Sequence, residues 1–320
     1  MTIIVNPNLN SHSDCNASTS FAAVSVLTDL ASDMEKQSLP KSTLYVLATP
    51  IGNRADLTVR AVYVLHIADV IAAEDTRIAG HLLHSLQLHK PLIACDAHRE
   101  STVIANIIDR LAKGERVVLC SDAGTPAISD PGARLVAAVH AAGYRVLPIP
   151  GVSSLSTAVS VSGLVGSTEA AFTFHAFAPN KGKLRTDFYN TICHTSIPQV
   201  WFEAPHRMAD AFERLAELSP TRSLCIAREL TKQFENITVM ACLDAPKWLA
   251  EKPERHKGEF VLTLSAYLQK DLCDIDVQAL RLAQQLSIEL PASKAAALAA
   301  THYGANRSDI YAALLVAKQK

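Results

Sequence analysis

The sequence predicts an α/β protein of two domains, a parallel-sheet domain followed by a mixed-sheet domain, with a small helical segment at its C-terminal end. Three observations predict this. At 320 residues the chain is too long for one small core. Between residues 44 and 161, short apolar, β-branched runs alternate with helical patterns, as in a parallel sheet with crossover helices. Past a linker at 163–168 the alternation breaks, because the strand-like runs at 224–228 and 237–242 have no room between them for a crossover helix.

Residues 1–40 are rich in Ser, Asn, Thr and Asp and read as a mostly disordered leader, with a helical pattern only at 21–30. The first domain is assigned to 41–163. A strand over 44–48 leaves through Thr49-Pro50-Ile51-Gly52-Asn53 into a helix over 58–66. The strand at 70–73 ends at Glu74-Asp75-Thr76-Arg77 before a helix over 78–86, and the strand at 92–95 ends at Asp96-Ala97-His98-Arg99-Glu100. A helix over 102–113 closes at Gly114. The strand at 116–120 opens into the loop 121–132, followed by an Ala-rich helix over 133–142. A fifth strand, 145–149, leaves through Pro150-Gly151-Val152-Ser153-Ser154 into a helix reaching 161.

The second domain is assigned to 164–270, with strands at 172–176, 199–202, 224–228, 237–242 and 260–264 and helices at 183–193 and 207–218. The remaining segment, 271–320, is helical and Ala-rich from 277. Its pieces at 293–301 and 308–317 flank a turn with helix-turn-helix spacing. Its basic face is thin (Lys294, Arg307, Lys318 and Lys320), which favours a packing hairpin over a base-reading element.

Loops rich in functional residue types thus stand at the carboxyl ends of all five strands of the first domain, where open α/β sheets bind ligands. The loop 121–132 reads S-D-A-G-T-P-A-I-S-D-P-G. Asp122 stands at the strand end, Gly124 permits positive φ and close backbone approach, and Pro126 and Pro131 stiffen the loop. Gly151 likewise permits close approach, and Ser153 or Ser154 suits a helix cap. The glycine-rich G-x-G-x-x-G turn is absent, which argues against a dinucleotide site. Glu74, Asp75 and Arg77 suit either an ion pair or substrate contact, and the same choice holds for His98, Arg99 and Glu100. His98 has the chemistry of a general base at neutral pH. In the second half, Glu203, His206 and Arg207 follow one strand, Arg228, Glu229 and Lys232 another, and Lys257 and Glu259 flank Gly258.

Together with A-T-P-I-G-N at 48–53, A-A-E-D-T-R at 72–77, P-G-V-S-S at 150–154, E-A-P-H-R at 203–207, A-R-E-L-T-K at 227–232 and K-G-E-F-V at 257–261, the loop 121–132 resembles the tetrapyrrole-methylase superfamily. Within it the chain is most similar to the small-subunit (16S) rRNA cytidine-2′-O-ribose methyltransferases, from about residue 44 to its end. It departs from them in having Ala204 where they carry Ser, and in a less acidic, less amide-rich segment at 96–100. The resemblance implies the two-domain tetrapyrrole-methylase fold and S-adenosylmethionine as methyl donor. It implies a donor site built from Pro50, Gly52, Asp122, Gly124, Pro126, Ile128, Gly151, Ser153 and Ser154. It implies substrate contacts from Glu203, His206, Arg207, Arg228 and Lys232; from their places at the strand ends, Arg77 suits a substrate phosphate, and Glu74, Asp75, His98 and Glu100 are the candidates for a general base. The implied partner is small-subunit rRNA or the small ribosomal subunit, with the enzyme as a homodimer and no metal. Two other readings stand beside it: a methyltransferase acting on a tetrapyrrole or other small molecule, and a non-enzymatic nucleic-acid-binding protein using the C-terminal helices.

Composition limits the remaining classes. A net charge of −1 gives no global basic field, so nucleic acid must be held by local patches. Seven scattered cysteines without a C-x-x-C pair indicate neither a disulfide framework nor a zinc site, and fit a reducing cytoplasm. No apolar run reaches membrane-spanning length, and no signal-peptide pattern opens the chain.

Overall fold

Apolar runs with both faces buried make the first sheet. Its strands are β1 (Thr43–Leu47), β2 (Val70–Ala73), β3 (Leu92–Ala94), β4 (Arg116–Cys120) and β5 (Arg145–Ile149), all parallel and ordered β3-β2-β4-β1-β5. Alternate residues point to opposite faces, so each strand feeds two cores. Tyr45, Leu47, Ile71 and Val118 pack under α1 (Val59–Ile67) and α2 (Thr76–Ser85). Leu44, Val70, Val117 and Leu119 pack under α3 (Glu100–Ala112) and α4 (Ala133–Ala141). The computed structural model describes residues 29–30, 32–34, 36–96, 100–166, 171–267, 277–305, 307, 310, 311, 313 and 314. The leader expected at 1–40 lies mostly outside them.

The second sheet is mixed, as the missing crossover required. It comprises β6 (Thr173–Phe177), β7 (Gln199–Glu203), β8 (Ser223–Arg228), β9 (Asn236–Ala241) and β10 (Phe260–Leu264) in the order β6-β7-β10-β8-β9. Only β6 and β7 are parallel; the other pairings are antiparallel. Between the two sheets in sequence lies α5 (Ser154–Ser162), which packs on the second sheet: Leu155, Ala158 and Val159 meet Val200, Ala227 and Val261. The opposite face carries α6 (Gly182–Cys193), α7 (Met208–Leu218) and α8 (Ala245–Ala250) around Trp201, Phe212 and Leu262.

Two further helices, α9 (Val277–Leu286) and α10 (Ala292–Tyr303), pack through buried Ala279, Ala283, Ala295, Ala296 and Ala299, and Gly304 caps α10 at φ +66. Among the described residues, no helix is long and apolar enough to cross a membrane.

Candidate active site

Three exit loops of the first sheet are tied into one wall. The Thr49 N–H donates to the Gly124 carbonyl at 2.9 Å, and the Gly124 N–H returns a bond to the Thr49 carbonyl at 3.0 Å. Thr125 Oγ1 donates to the Val152 carbonyl at 3.0 Å, which adds the β5 loop. Gly151 packs on Ala48, where a β-carbon would stand 3.0 Å from the Ala48 methyl. Gly124 holds φ +82, and a β-carbon there would lie 3.3 Å from Ile51 Cγ2. Replacing Gly124 with valine combines a β-branched side chain with positive φ at a crowded site, so donor affinity measured by calorimetry should fall. Full retention of affinity would remove the close approach from the site. The same loop holds two non-glycine residues in the left-handed region, Ala127 at φ +64 and Ser129 at φ +74. Strain of this kind persists where the surroundings over-determine it.

This wall faces the second sheet across a cleft of about 290 Å³, near the lower end of small-molecule sites. Gly124, Ile128, Ser153 and Ser154 line it from one side, and Phe177, Phe202, Pro205, Gly258 and Val261 from the other. A second cavity of about 460 Å³ lies beyond Ile51 and Ala123, which border both. Pro50, Gly52 and Asp122 line this second cavity and not the first. The expected donor set is thus divided between two neighbouring spaces. Pro126 is buried behind the wall. Ser153 precedes α5 without the side-chain capping bond expected of it.

Gly52 answers to a different neighbour than a ligand. A β-carbon there would overlap the Lys232 side chain and stand 2.8 Å from Thr231 Oγ1. The Asn53 N–H donates to that same Thr231 Oγ1 at 3.0 Å. Gly52 is therefore the point where the first sheet's loop touches the β8 loop. In the β8 loop Glu229 (φ +52) and the β-branched Thr231 (φ +65) both sit in the left-handed region.

The carboxylates beside the second cavity differ in state. Asp75 caps α2 by accepting the Arg77 N–H at 2.8 Å, and its Oδ1 also accepts Arg77 Nε at 3.0 Å. Those bonds to Arg77 hold the Asp75 carboxyl down at about 2. Asp122 Oδ1 accepts the Asp75 N–H at 2.9 Å, bracing the ends of β2 and β4 against each other. Glu74 is only weakly held, by the Asp122 N–H at 3.4 Å. Burial raises its pKa, and the nearby Asp122, Asp130 and Asp75 add to the rise. Burial raises Asp130 as well. Asp130 lines the first cleft and was missed as a site residue; its only signal was membership of the loop 121–132. His98 lies outside the described residues, and so does the side chain of Glu100, the first residue of α3.

Two of the expected substrate contacts, Glu203 and Arg228, are largely enclosed, though Glu203 also borders the first cleft. Glu203 is 2% exposed. Its Oε2 accepts Arg185 Nη1 at 2.9 Å and the Tyr189 hydroxyl at 2.8 Å. Arg207 Nε stands 2.8 Å from Oε1 as an ion pair by distance, though its N–H is not aimed along the contact. Arg228 gives all three guanidinium nitrogens to backbone carbonyls, those of Lys257, Phe234 and Glu254, and so clamps two loops together. Arg207 is likewise mostly enclosed, bonded to Asn180 Oδ1. Lys232 pairs with Glu229 at 2.9 Å and Glu259 at 3.1 Å. Exposed His206 stands in a 3-10 turn, Pro205–Arg207, next to the cleft-lining Pro205.

A family model described as Tetrapyrrole (Corrin/Porphyrin) Methylases matches residues 43–243, and one described as RsmI C-terminal HTH domain matches residues 274–318. The Ribosomal RNA small subunit methyltransferase I of Xylella fastidiosa (strain Temecula1) is 42% identical over 270 residues, 84% of this chain and 97% of that protein. The protein of the same name from Pasteurella multocida (strain Pm70) is 38% identical over 269 residues, 84% of this chain and 95% of its own. Among solved structures, uroporphyrin-III-C-methyltransferase from Thermus thermophilus superposes with a TM-score of 0.51 at 20% identity, covering 70% of this chain and 94% of that one. At that identity the likeness speaks for the fold alone. A parallel sheet and a mixed sheet closing on one cleft, with the matches above, establish that this chain belongs to the tetrapyrrole (corrin/porphyrin) methylase family.

Proposed function

We propose that the protein transfers a methyl group from S-adenosylmethionine to the ribose 2′-hydroxyl of a cytidine in small-subunit rRNA. The observation that carries this reading is the cleft between the two sheets, walled by the bonded exit loops of β1, β4 and β5. The cleft fits the donor. Gly124 leaves backbone room that a β-carbon would take, Ile51, Ile128, Phe202 and Val261 offer an apolar lining for a heteroaromatic ring, and Asp130 and Ser153 supply polar contacts. The donor, once bound, supplies an electrophilic methyl group on a positively charged sulfur.

What the chain adds is placement. A hydroxyl held in the second cavity reaches the first across Ile51 and Ala123, and correct placement of two reactants alone removes about 7–11 kcal/mol of barrier. Glu74 is the base in this reading, with His98 and Glu100 as its alternatives. Asp75, already committed to Arg77, is set aside. Arg77, with 85% of its side chain exposed, is a phosphate contact together with His206 and Lys232. Glu203, Arg207 and Arg228 support the site from behind. The assigned domains, 41–163 and 164–270, and the helical segment 271–320 belong to the same proposal. So do the cytoplasmic location and a homodimer that adds RNA surface to a nearly neutral chain.

The names and the identity of the relatives at 38–42% favour an rRNA substrate over a tetrapyrrole, which the broad family description and structural neighbours of much lower identity suggest. Incubation with tritiated-methyl donor should label purified small subunits or naked rRNA, with the label recovered on a cytidine ribose. Transfer to neither, together with methylation of a tetrapyrrole acceptor, would overturn the proposal.

A further inference from the structure

The edge strand β6 does something its sequence does not announce. Its pairing with β7 is regular at Thr173 and Phe174, then slips, so that Phe177 stands opposite Phe202 after one extra residue. Ala176, inside the slip, sits at φ +55. A β-bulge of this kind re-aims the next side chain, and bulges gather at sheet edges beside functional sites. Here the re-aimed side chain is Phe177, left 57% exposed at the cleft, edge-to-face on Phe202 at 5.3 Å. Phe202 is in turn edge-to-face on Phe174 at 5.0 Å. An aromatic ring is thus held outward on an aromatic base, by a backbone conformation that a non-glycine residue adopts reluctantly.

The residues that follow are fixed in place. The Ala178 N–H resumes pairing with the Phe202 carbonyl at 3.1 Å. Arg185 Nη1 donates to the Pro179 carbonyl at 3.0 Å, and Arg207 bonds Asn180 Oδ1. Lys181, at the end of this pinned loop, and Lys183, in the first turn of α6, are both exposed, and neither side chain has an ion pair or hydrogen bond among the described residues. The nearest acid along the chain is exposed Asp187 on α6, and it pairs with neither lysine.

We propose that Phe177, Lys181 and Lys183 form a stacking platform for a nucleotide of single-stranded RNA beside the donor cleft. An exposed ring with unpaired cations a few residues further along the chain is a combination suited to unpaired strands, the ring taking a base face and the cations the backbone phosphates. The platform gives a chain of net charge −1 the local positive patch that RNA binding requires. The inference rests on the proposed rRNA activity, and names the surface that grips the strand next to the acceptor nucleotide.

The test uses the full chain and a short, fluorescently labelled single-stranded RNA, with S-adenosylhomocysteine affinity measured in parallel by calorimetry. Phe177→Ala should weaken RNA binding by about 5- to 150-fold, while Phe177→Trp, which keeps an aromatic face, should retain it. Lys181→Ala and Lys183→Ala should each flatten the log–log salt dependence of RNA binding by about 0.7. Lys181→Ala and Lys183→Ala should hold S-adenosylhomocysteine as the wild type does, and Phe177→Ala, at the rim of the same cleft, should lose more RNA affinity than S-adenosylhomocysteine affinity. RNA affinity of Phe177→Ala within twofold of wild type, or no RNA binding by the wild type, overturns the platform. So does a loss of S-adenosylhomocysteine affinity in Phe177→Ala with RNA affinity unchanged, which would give the ring to the donor's adenine. Failure of the rRNA reading itself shows separately, as an absence of methyl transfer to small subunits by the wild type.

Discussion

Glu203→Ala is expected to destabilise the protein by about 3–5 kcal/mol, the usual cost of removing one partner from a buried ion pair. Glu203 is 2% exposed, and Arg185, its partner at 2.9 Å, is 3% exposed. Without the carboxylate, Arg185 keeps only Asp210 as an anionic partner, at 2.6 Å, and Asp210 is itself 46% exposed in its side chain. The Tyr189 hydroxyl loses its acceptor as well. Burial, with the charge of Glu203 beside it, raises the Tyr189 pKa, so the phenol stays a donor and would be left unsatisfied. Glu203→Gln keeps the shape and part of the bonding and should cost less. Urea denaturation measures both. If Glu203→Ala unfolds at the wild-type midpoint yet loses rRNA methylation, the residue is a substrate contact after all and the buried network is not what holds this corner.

The same network reaches the surface proposed to grip RNA. Arg185 and Arg207, both paired to Glu203, are the residues that pin Pro179 and Asn180. Loosening Glu203 should therefore weaken RNA binding through the Lys181 loop even in molecules that remain folded.

The strands were legible because burial on both faces leaves a plain signature: R-V-V-L-C and V-I-A-A read as strands and are strands. Helix α8 was not, since six residues containing Pro246, separated from β9 by only the 3-10 turn Cys242–Asp244, offer no periodicity to detect. In the site, Gly124 was legible, because a glycine inside a strand-end loop implies positive φ or close approach. Gly52 entered only through the resemblance, as part of the donor site; what approaches it is the Thr231–Lys232 loop, 178 positions along the chain at the Asn53 contact. The burial of Glu203 and Arg228 was not legible, for a simple reason. A charged residue at a strand end reads alike whether it faces solvent or is enclosed, and only tertiary packing decides. Phe177 was hidden by the bulge, since period-two alternation assigns each strand residue to a face and one extra residue reverses the assignment.

The largest kinetic effect is expected at Glu74. If Glu74 takes the ribose hydroxyl proton, as proposed, its replacement by glutamine should lower single-turnover methyl transfer by about 10²–10⁴-fold with donor affinity unchanged. Asp75→Asn should not, because Asp75 is held at about 2 by Arg77 and serves as the cap of α2. The pH dependence carries a sign that separates the two carboxylates. Burial raises the Glu74 pKa, so its ionised, proton-accepting form develops at higher pH than for an ordinary carboxylate, and the wild-type rate should rise through that shifted range. Stability should move the opposite way. A group whose folded pKa lies above its unfolded value contributes stability that is fully present below the unfolded pKa and lost as pH rises through the folded one. At neutral pH, Glu74→Gln, which cannot ionise, should therefore be more stable than the wild type, and the difference should vanish in acid, where Glu74 is protonated in both states. A slower but more stable variant is the mark of a carboxylate kept at a cost for chemistry. If Glu74→Gln retains at least a tenth of the wild-type single-turnover rate, Glu74 is not the base; the same measurement on His98→Ala and Glu100→Ala then decides whether any side chain takes the proton or whether placement alone carries the transfer.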